Sequence, residues 1–410
     1  MKKLLFITPE LPYPAQSGGK VKSLKLLHAL AERYDVCLAC PLKMDDPDHV
    51  EAFHGVSPCA EHIHERVDIP RTPRNLLASY GRGVPLNVQR TYSQSLADEI
   101  AARAGDYDLI VLDHYEVFRY LPESFSGVVI YHAHNAYFKM WQRYAQLPGN
   151  PVMRAAAWLE SVRVRRYEAR VARSVDLTFA APNDAAELVA ASVDADTIRN
   201  TYHLGDDSQL ERPDLRFDES AKKLMYVGFL GWEPNSQGLI WFIENVWPHV
   251  RQAHPDVTFD IVGKNASEEL GALVDAHPGI KLLGFVPDLQ DVYSSSRVSV
   301  APLLFGSGMK VKVLDALAAG LPTVTTSVGA EGIAIEPDTH LLVADEPEEM
   351  AQQILRLLTD ETLWECLQKN SRKLVAAKYT WKALFDAMHA DIDRCVQARS
   401  VNRRTPAHAF

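Results

Sequence analysis

Residues 298–326 read Val298-Ser-Val-Ala-Pro302, Leu-Leu-Phe-Gly306-Ser307-Gly308, Met309-Lys310-Val-Lys312-Val-Leu-Asp315-Ala-Leu-Ala-Ala319, Gly320-Leu-Pro322-Thr-Val-Thr-Thr326. A short apolar run enters a glycine-rich loop, an apolar helical stretch follows, and a second short apolar run begins at Pro322. Continuous rather than alternating apolar strands joined by a helix signal a parallel sheet covered on both faces. The pattern predicts strands at Val298–Pro302 and Pro322–Thr326 and a helix over Met309–Ala319.

The same unit repeats outward from this stretch. Lys223–Gly228, Val257–Gly263 and Ile280–Leu283 read as strands, the last followed by Gly284. Gln237–His254 reads as a helix between the first two. In the N-terminal half, strands are expected at Leu4–Thr8, Val36–Cys40, Asp108–Asp113, Gly127–Tyr131 and Val175–Ala181. Helices are expected at Lys20–Arg33 and Met153–Arg173, and Pro182-Asn183-Asp184 starts another. Residues 43–95 read as an irregular excursion without a motif. Residues 348–395 read as helical, with a bend at Lys378-Tyr-Thr-Trp381. The polar segment Asp206–Ala221, which contains Pro213, reads as a linker.

The fold class is therefore α/β with two Rossmann-like domains. Length agrees, because 410 residues exceed one ordinary core. A hydrophobic fraction of 47% with 23% charged residues excludes a disordered chain. A net charge of −10 makes nucleic acid a poor partner. Five cysteines are an odd, sparse set and no disulfide framework, which fits a reducing cytoplasm. Cys37 and Cys40 lie within a predicted strand and read as core rather than as a redox or zinc pair. The apolar run Leu4–Thr8 stops at Pro9, short of the roughly 7–15 residues of a secretion signal. No stretch approaches a spanning helix. A cytoplasmic protein is expected, with peripheral contact at the inner face of a membrane as an extension of that reading.

Ligands of open α/β sheets sit outside the carboxyl ends of the strands. Gly306-Ser307-Gly308 opens a helix there. A helix N-terminus offers unpaired N–H groups to an anion, and Lys310 adds a cation. Asp315 lies in an otherwise apolar helix and needs partners. Vicinal hydroxyls of a ligand or an ion pair with Lys312 would both serve. Tyr131-His132-Ala133-His134-Asn135 closes a strand and turns both histidines to one side. No third metal ligand is evident beside them, so no metal site is expected; a strand-end histidine bonded to a loop carbonyl is the bland alternative. Asp194-Ala-Asp196 reads as a polar turn or cap, and Asp391-Ile-Asp393 as solvated. Residues 137–173 carry eight Lys or Arg, of which Arg163, Arg166, Arg170 and Arg173 follow helical spacing. A solvated face is the plain reading, and attraction to anionic lipid is its rival.

Asp315-Ala-Leu-Ala-Ala-Gly320-Leu-Pro322-Thr-Val resembles the signature of retaining family 4 glycosyltransferases. Their pattern is Glu, seven residues, Glu, then Ala-x-Ala-x-Gly-x-Pro-Val-Val. The branch found with exopolysaccharide loci is similar, with Gly-Ser-Gly-Met-Lys at 306–310. The resemblance covers most of the chain and implies the GT-B fold, two Rossmann-like domains facing across an interdomain cleft. It implies an N-terminal acceptor-side domain over 1–210, joined by the C-terminal helix at about 380–398, and a nucleotide-sugar donor domain over 216–378. It implies transfer of a sugar from a nucleotide diphosphate-sugar to an acceptor hydroxyl, with retention and without metal or other cofactor, in polysaccharide or glycoconjugate biosynthesis.

Residue by residue, the resemblance puts Asp315 on the donor ribose, with Asp shorter than the family's Glu by about 1.5 Å, one C–C bond. Ser307 stands where the family has its first Glu. Gly308, Met309 and Lys310 line the diphosphate. Gly18 and Gly19 match the family's N-terminal glycine loop. Gly228, Gly263 and Val286 fall in segments lining the nucleotide, Val286 through its backbone. His134, with His132 second, falls near the donor sugar, so His134 and Lys310 are the catalytic candidates. No Arg or Lys follows Gly228, where family members often carry phosphate-binding cations. The implied partners are the donor and a saccharide, lipid-linked or small-molecule acceptor, with membrane contact through the basic helix 153–173. Two rival functions are a nucleotide-sugar epimerase on the same scaffold, for which no acid/base carboxylate pair stands out, and a non-catalytic nucleotide-sugar binder, which Ser307 favours.

Overall fold

A computed structural model describes residues 1–15, 18–43, 46–70, 72–134, 137–146, 150–202, 204–305 and 309–404. Of the residues singled out above, Ser17, Asn135, Gly306, Ser307 and Gly308 lie outside this set. The chain forms two compact units, Met1–Thr201 with the segment from Phe385 onward, and Tyr202–Leu384.

The first unit holds a seven-stranded sheet built from β1 Lys2–Ile7, β2 Tyr34–Leu42, β3 Glu61–Arg66, β4 Leu109–Asp113, β5 Val128–His132, β6 Leu177–Ala180 and β7 Ile198–Asn200. The order is β3-β2-β1-β4-β5-β6-β7 and every pairing is parallel. Central strands are covered on both faces, so Leu4 to Ile7 are all fully buried. Each such side chain contributes about 1.5–3 kcal/mol. Cys37 and Cys40 are buried free thiols in β2, and burial pushes the Cys40 thiol up.

Residues 43–95 are not irregular. They form helices Asp46–His54, Pro73–Gly81 and Leu86–Thr91, the edge strand β3, and the start of helix Gln94–Arg103. β3 has the charged, half-exposed sequence Glu-His-Ile-His-Glu-Arg that suits a sheet edge. Two of the helices begin at side-chain caps: Thr72 accepts from Asn75 N–H and Ser93 from Leu96 N–H.

The second unit holds β8 Lys223–Val227, β9 Thr258–Val262, β10 Ile280–Gly284, β11 Val298–Ala301, β12 Thr323–Thr325 and β13 Leu342–Val343. Their order is β10-β9-β8-β11-β12-β13, again all parallel. The expected helix near 237–254 runs as Glu233–Trp241, a wider π turn at Phe242–Val246, and Trp247–Ala253. Pro248 has no N–H to donate, and the wider turn lets the helix restart with proline in its first turn. Helices Pro347–Thr359, Glu361–Lys378 and Trp381–Arg404 follow, and the expected bend falls between the last two.

Asp391, expected to be solvated, is mostly covered, whereas Asp393 stays half exposed. Asp391 pairs with Arg199 at 3.1 Å, and Asp393 meets Tyr34 Oη at 3.3 Å and Arg33 at 3.5 Å. The arginine row of helix Pro151–Arg173 is likewise divided. Arg163 pairs with Glu160 at 2.5 Å, bonds the Val84 carbonyl and lies over the Tyr80 ring, and Arg173 bonds the Ala191 carbonyl at 2.7 Å. Arg166 and Arg170 remain exposed. Asp194 caps a short 3-10 turn by accepting from Asp196 N–H at 3.0 Å, as a polar turn should.

Within the second unit the segment read as a linker is tied down by Gln368 at the Leu215 carbonyl, by Arg297 at Ser220 and by the Arg372 guanidinium. Arg372 donates to the carbonyls of Leu210 at 2.8 Å, Arg212 at 2.9 Å and Ala318 at 3.1 Å, and pairs with Asp214 at 3.1 Å. Replacing it strands several acceptors at once. Arg372→Ala is expected to cost about 2–4 kcal/mol. Differential scanning calorimetry should show the transition of this unit lowered by roughly 5–15 °C.

Candidate functional site

In the first unit, the carboxyl ends of β1, β4 and β5 converge on one carboxylate. Asp113 ends β4 and is fully buried. Its Oδ1 accepts from His132 Nδ1 at 2.7 Å and His134 Nε2 at 2.6 Å, while its Oδ2 accepts from Ser23 Oγ at 2.5 Å and Thr8 Oγ1 at 3.2 Å. Burial alone would raise the Asp113 carboxyl, but the imidazole donors hold it well below the carboxylate range. Burial brings His132 down to about 4 and His134 to about 3. Both rings are neutral at physiological pH, and each gives its proton to Asp113.

Three further groups complete this cluster. His114 stacks on His134 with centroids 3.8 Å apart, and its φ of 88° is a left-handed conformation unusual outside glycine. Lys22 is buried and has no hydrogen-bond partner among the described residues, and burial lowers it to about 8 against the pull of Asp113 and Asp184. Gly19 lies in the first turn of helix Gly18–Ala31, where an added Cβ would stand 3.9 Å from His134 Nδ1. The fold thus brings Gly19 and His134 together.

It also supplies the third ligand that was not evident in the sequence. Ligand atoms of Asp113, His132 and His134 lie within 4.8 Å of one another. Two imidazoles and a carboxylate are a donor set for a divalent cation. Against that, Oδ1 already satisfies both rings, and the Lys22 ammonium balances the single buried negative charge. Asp113 and His114 were missed because their link to the H-x-H segment is made by strand order.

In the second unit, the ends of β8 and β9 are pressed together. A Cβ on Gly263 would lie 2.0 Å from the Gly228 carbonyl oxygen. Gly228 N–H bonds Val262 O at 3.0 Å and Gly263 N–H bonds Gly284 O at 2.9 Å. Gly263 is required by this approach, whereas a Cβ on Gly228 would instead meet the side-chain ends of Tyr226 and Lys312. Val286 follows the end of β10 and packs partly buried against the Met225 and Val262 cluster.

Helix Val311–Ala319 begins beside this edge, and Lys310 caps it through its backbone. The Lys310 side chain is buried, 3.6 Å from Glu331. Gly332, at φ 81°, packs against the Met309 backbone. Asp315 turns to the segment before the short helix Asp207–Glu211. Its Oδ1 accepts from Asp206 N–H at 2.9 Å, and a Cβ on Gly205 would meet that oxygen at 1.7 Å. Burial raises the Asp315 carboxyl to about 6.

The ion pair between Asp315 and Lys312 does not form. Lys312 Nζ instead donates to Tyr226 Oη at 2.7 Å and Asn235 Oδ1 at 2.5 Å. Each residue is taken by a tertiary partner instead, Lys312 by the end of β8 and the loop after it and Asp315 by Asp206 N–H. Gly228, Gly263, Met309, Lys310 and Asp315 therefore share the carboxyl-end region of this unit, together with Lys312, Tyr226 and Asn235, which sequence reasoning did not select.

Residues 221–360 match the family model for glycosyl transferases group 1. Over 399 residues the chain is 23% identical to a 44.6 kDa protein in the cps region of Klebsiella pneumoniae, covering 95% of this chain and 99% of that one. Its fold is similar to that of Anabaena HepE in complex with UDP and glucose, with TM-score 0.62, 14% identity and coverage of 96% and 100%. It is also similar to WaaG, a glycosyltransferase involved in lipopolysaccharide biosynthesis, with TM-score 0.59, 15% identity and coverage of 95% and 99%. These likenesses establish the GT-B fold of two Rossmann-like units.

Asp315→Asn keeps an acceptor for Asp206 N–H and removes the buried charge. A carboxyl raised from 3.8 to about 6 on folding destabilises above pH 6, and the penalty fades as protonation proceeds from about 6 to 4. The variant is expected to be more stable than the parent at pH 8, by on the order of 1–3 kcal/mol, and the gap should shrink to about a third of that by pH 4.5. Thermal scans across that range check it; a lower midpoint at pH 8 would refute it.

Proposed function

We propose that this glycosyltransferase takes a sugar from a nucleotide diphosphate-sugar and passes it to an acceptor hydroxyl with retention of configuration. The observation that carries this reading is the helix start at Lys310. A buried ammonium, an incoming helix N-terminus and the tightly apposed Gly228 and Gly263 meet at the carboxyl ends of one parallel sheet. That is a setting for a diphosphate. HepE with UDP and glucose, on the same fold, supports the ligand class.

In this reading Asp315 accepts the ribose hydroxyls with the oxygen not used by Asp206. Val286 passes its backbone along the base, and the exposed rings of Phe229 and Phe285 offer stacking surface. Ser307, Gly308, Met309 and Lys310 receive the diphosphate. Negative charge grows on the leaving nucleoside diphosphate during transfer, and Lys310 with the helix N–H groups stabilises it without a metal. In the first unit Gly18 and Gly19 form a second helix start. A neutral His134 then serves as a hydrogen-bonding group for the sugar rather than as a cation.

The acceptor is a saccharide or a lipid-linked sugar in polysaccharide or glycoconjugate assembly. The relative from a cps region and the likeness to WaaG support that context. Among the described residues no helix is long and apolar enough to cross a membrane. Peripheral contact at the inner face falls to helix Pro151–Arg173, through the exposed Val152, Met153, Trp158 and Leu159 and the exposed arginines Arg166 and Arg170. On this assignment Trp158→Ser should lower co-sedimentation with anionic vesicles several-fold, and unchanged sedimentation would remove the membrane contact.

Calorimetric titration with UDP, GDP, ADP and dTDP, each with EDTA and with magnesium, tests the donor site. One of them is expected to bind selectively and independently of magnesium, with Asp315→Ala abolishing binding. Lys310→Ala should slow transfer by about 10²-fold or more. Transfer rates left intact by both substitutions would show the site to be misassigned.

A further inference from the structure

Every cation so far placed at the donor diphosphate comes from Lys310. Yet the loop after β8, Gly228-Phe-Leu-Gly-Trp-Glu-Pro-Asn235, faces the same region and has no Arg or Lys. A cation reaches that loop from elsewhere in the chain. Lys312 sits in the first turn of helix Val311–Ala319, and its stem runs back over the helix start to the end of β8.

Three observations define its seat. Nζ donates to Tyr226 Oη and to Asn235 Oδ1. The Asn235 amide is fixed in that sense because its Nδ2 donates to the Phe229 carbonyl at 2.7 Å. At Gly228 a Cβ would stand 2.9 Å from Nζ and 2.8 Å from Tyr226 Oη, so the glycine leaves open the space the ammonium occupies. Tyr226, Asn235 and Gly228 thus form a cradle for one ammonium, built from the loop that lacks a cation of its own.

What the cradle does not contain is a counter-charge. No carboxylate of the described residues lies within salt-bridge distance of Lys312. Asp315, one turn along the helix, is held by Asp206 N–H, and Glu331 sits on Lys310. Burial, with Lys310 nearby, lowers Lys312 to about 7. A desolvated ammonium with only neutral acceptors is costly to keep in a folded chain. An anion arriving at the strand ends would supply the missing charge.

We propose that Lys312 is a second diphosphate-binding cation of the donor site, presented from the β8 side by Tyr226 and Asn235 and acting with Lys310. The proposal rests on the donor reading above. It assigns the distinction between a nucleoside diphosphate and a monophosphate to Lys312, because a monophosphate held by its ribose and base lacks the second phosphoryl group that this ammonium neutralises.

The test titrates the full chain and Lys312→Gln with the nucleoside diphosphate that the parent binds best, and with its monophosphate. Lys312→Gln is expected to lose at least tenfold in diphosphate affinity and less than threefold in monophosphate affinity. Tyr226→Phe, which removes one holder of Nζ and keeps the ring, should lose about threefold for the diphosphate alone. Equal losses for both ligands would mark Lys312 as structural and overturn the proposal, as would unchanged diphosphate binding. If Asp315→Ala abolishes binding while Lys312→Gln leaves it intact, the donor site stands and Lys312 leaves it. If the parent binds no nucleoside diphosphate, both readings fall.

Discussion

Both sheets are wholly parallel, and that constraint governs everything at the candidate sites. A parallel sheet carries all its strand carboxyl ends on one edge, so the loops and helix starts that follow them gather there. In the second unit the constraint is tightest where Gly263 meets the Gly228 carbonyl with no room for a Cβ. The close ends of β8 and β9 bring the Gly228 loop to the edge of the sheet. Helix Val311–Ala319, coming from the neighbouring β11, then directs its first-turn lysine to that loop. A side chain at 228 would remove the lysine's space, and one at 263 would push the two strand ends apart.

The two units handle buried charge in opposite ways. Asp113 is surrounded by four donors and by the ammonium of Lys22, so its carboxylate is satisfied where it stands. Such a network specifies one arrangement of the strand ends and fixes the tautomer of both histidines. Asp315 and Lys312 are not satisfied in that sense. Each is shifted toward its neutral form, and each has a hydrogen-bond partner that is itself neutral. Buried groups shifted in this way, at the carboxyl ends of a parallel sheet, are candidates for contact with a ligand.

The parts of the molecule legible in the sequence are those decided by local pattern. Buried strands such as Leu4–Ile7 and Phe259–Val262 announce themselves as continuous apolar runs, and strand-to-glycine junctions mark the site edge. Residues 43–95 were opaque because β3 is a charged edge strand and the surrounding helices are short and held by caps. The Asp113 cluster was opaque because its members meet through the order β1-β4-β5, which no spacing reveals. For Asp315 the spacing leaves a ligand's hydroxyls and a pair with Lys312 both open, and what excludes the pair is tertiary: Tyr226 and Asn235 take Lys312, and Asp206 N–H takes Asp315. Nothing local in the sequence signals Arg199 as the partner that covers Asp391.

The spacing of the two lysines gives the helix start its character. Lys310 is the extended N-cap of the helix and Lys312 stands in its first turn, so the two lysines reach different neighbours, one Glu331 and the other Asn235 and Tyr226. Between them lie the N–H groups that the first turn cannot pair internally. An anion on the axis would therefore be flanked by two ammonium groups and capped by backbone donors, with positive charge from three directions. A doubly charged pyrophosphoryl group spans such a site better than a single phosphate does. Charge held in place before the ligand arrives needs no reorganisation as negative charge builds on the departing nucleotide. On the proposal made for Lys312, the cost of desolvating it is the price of a preorganised site, and the neutral cradle of Tyr226 and Asn235 lowers that cost without cancelling the charge.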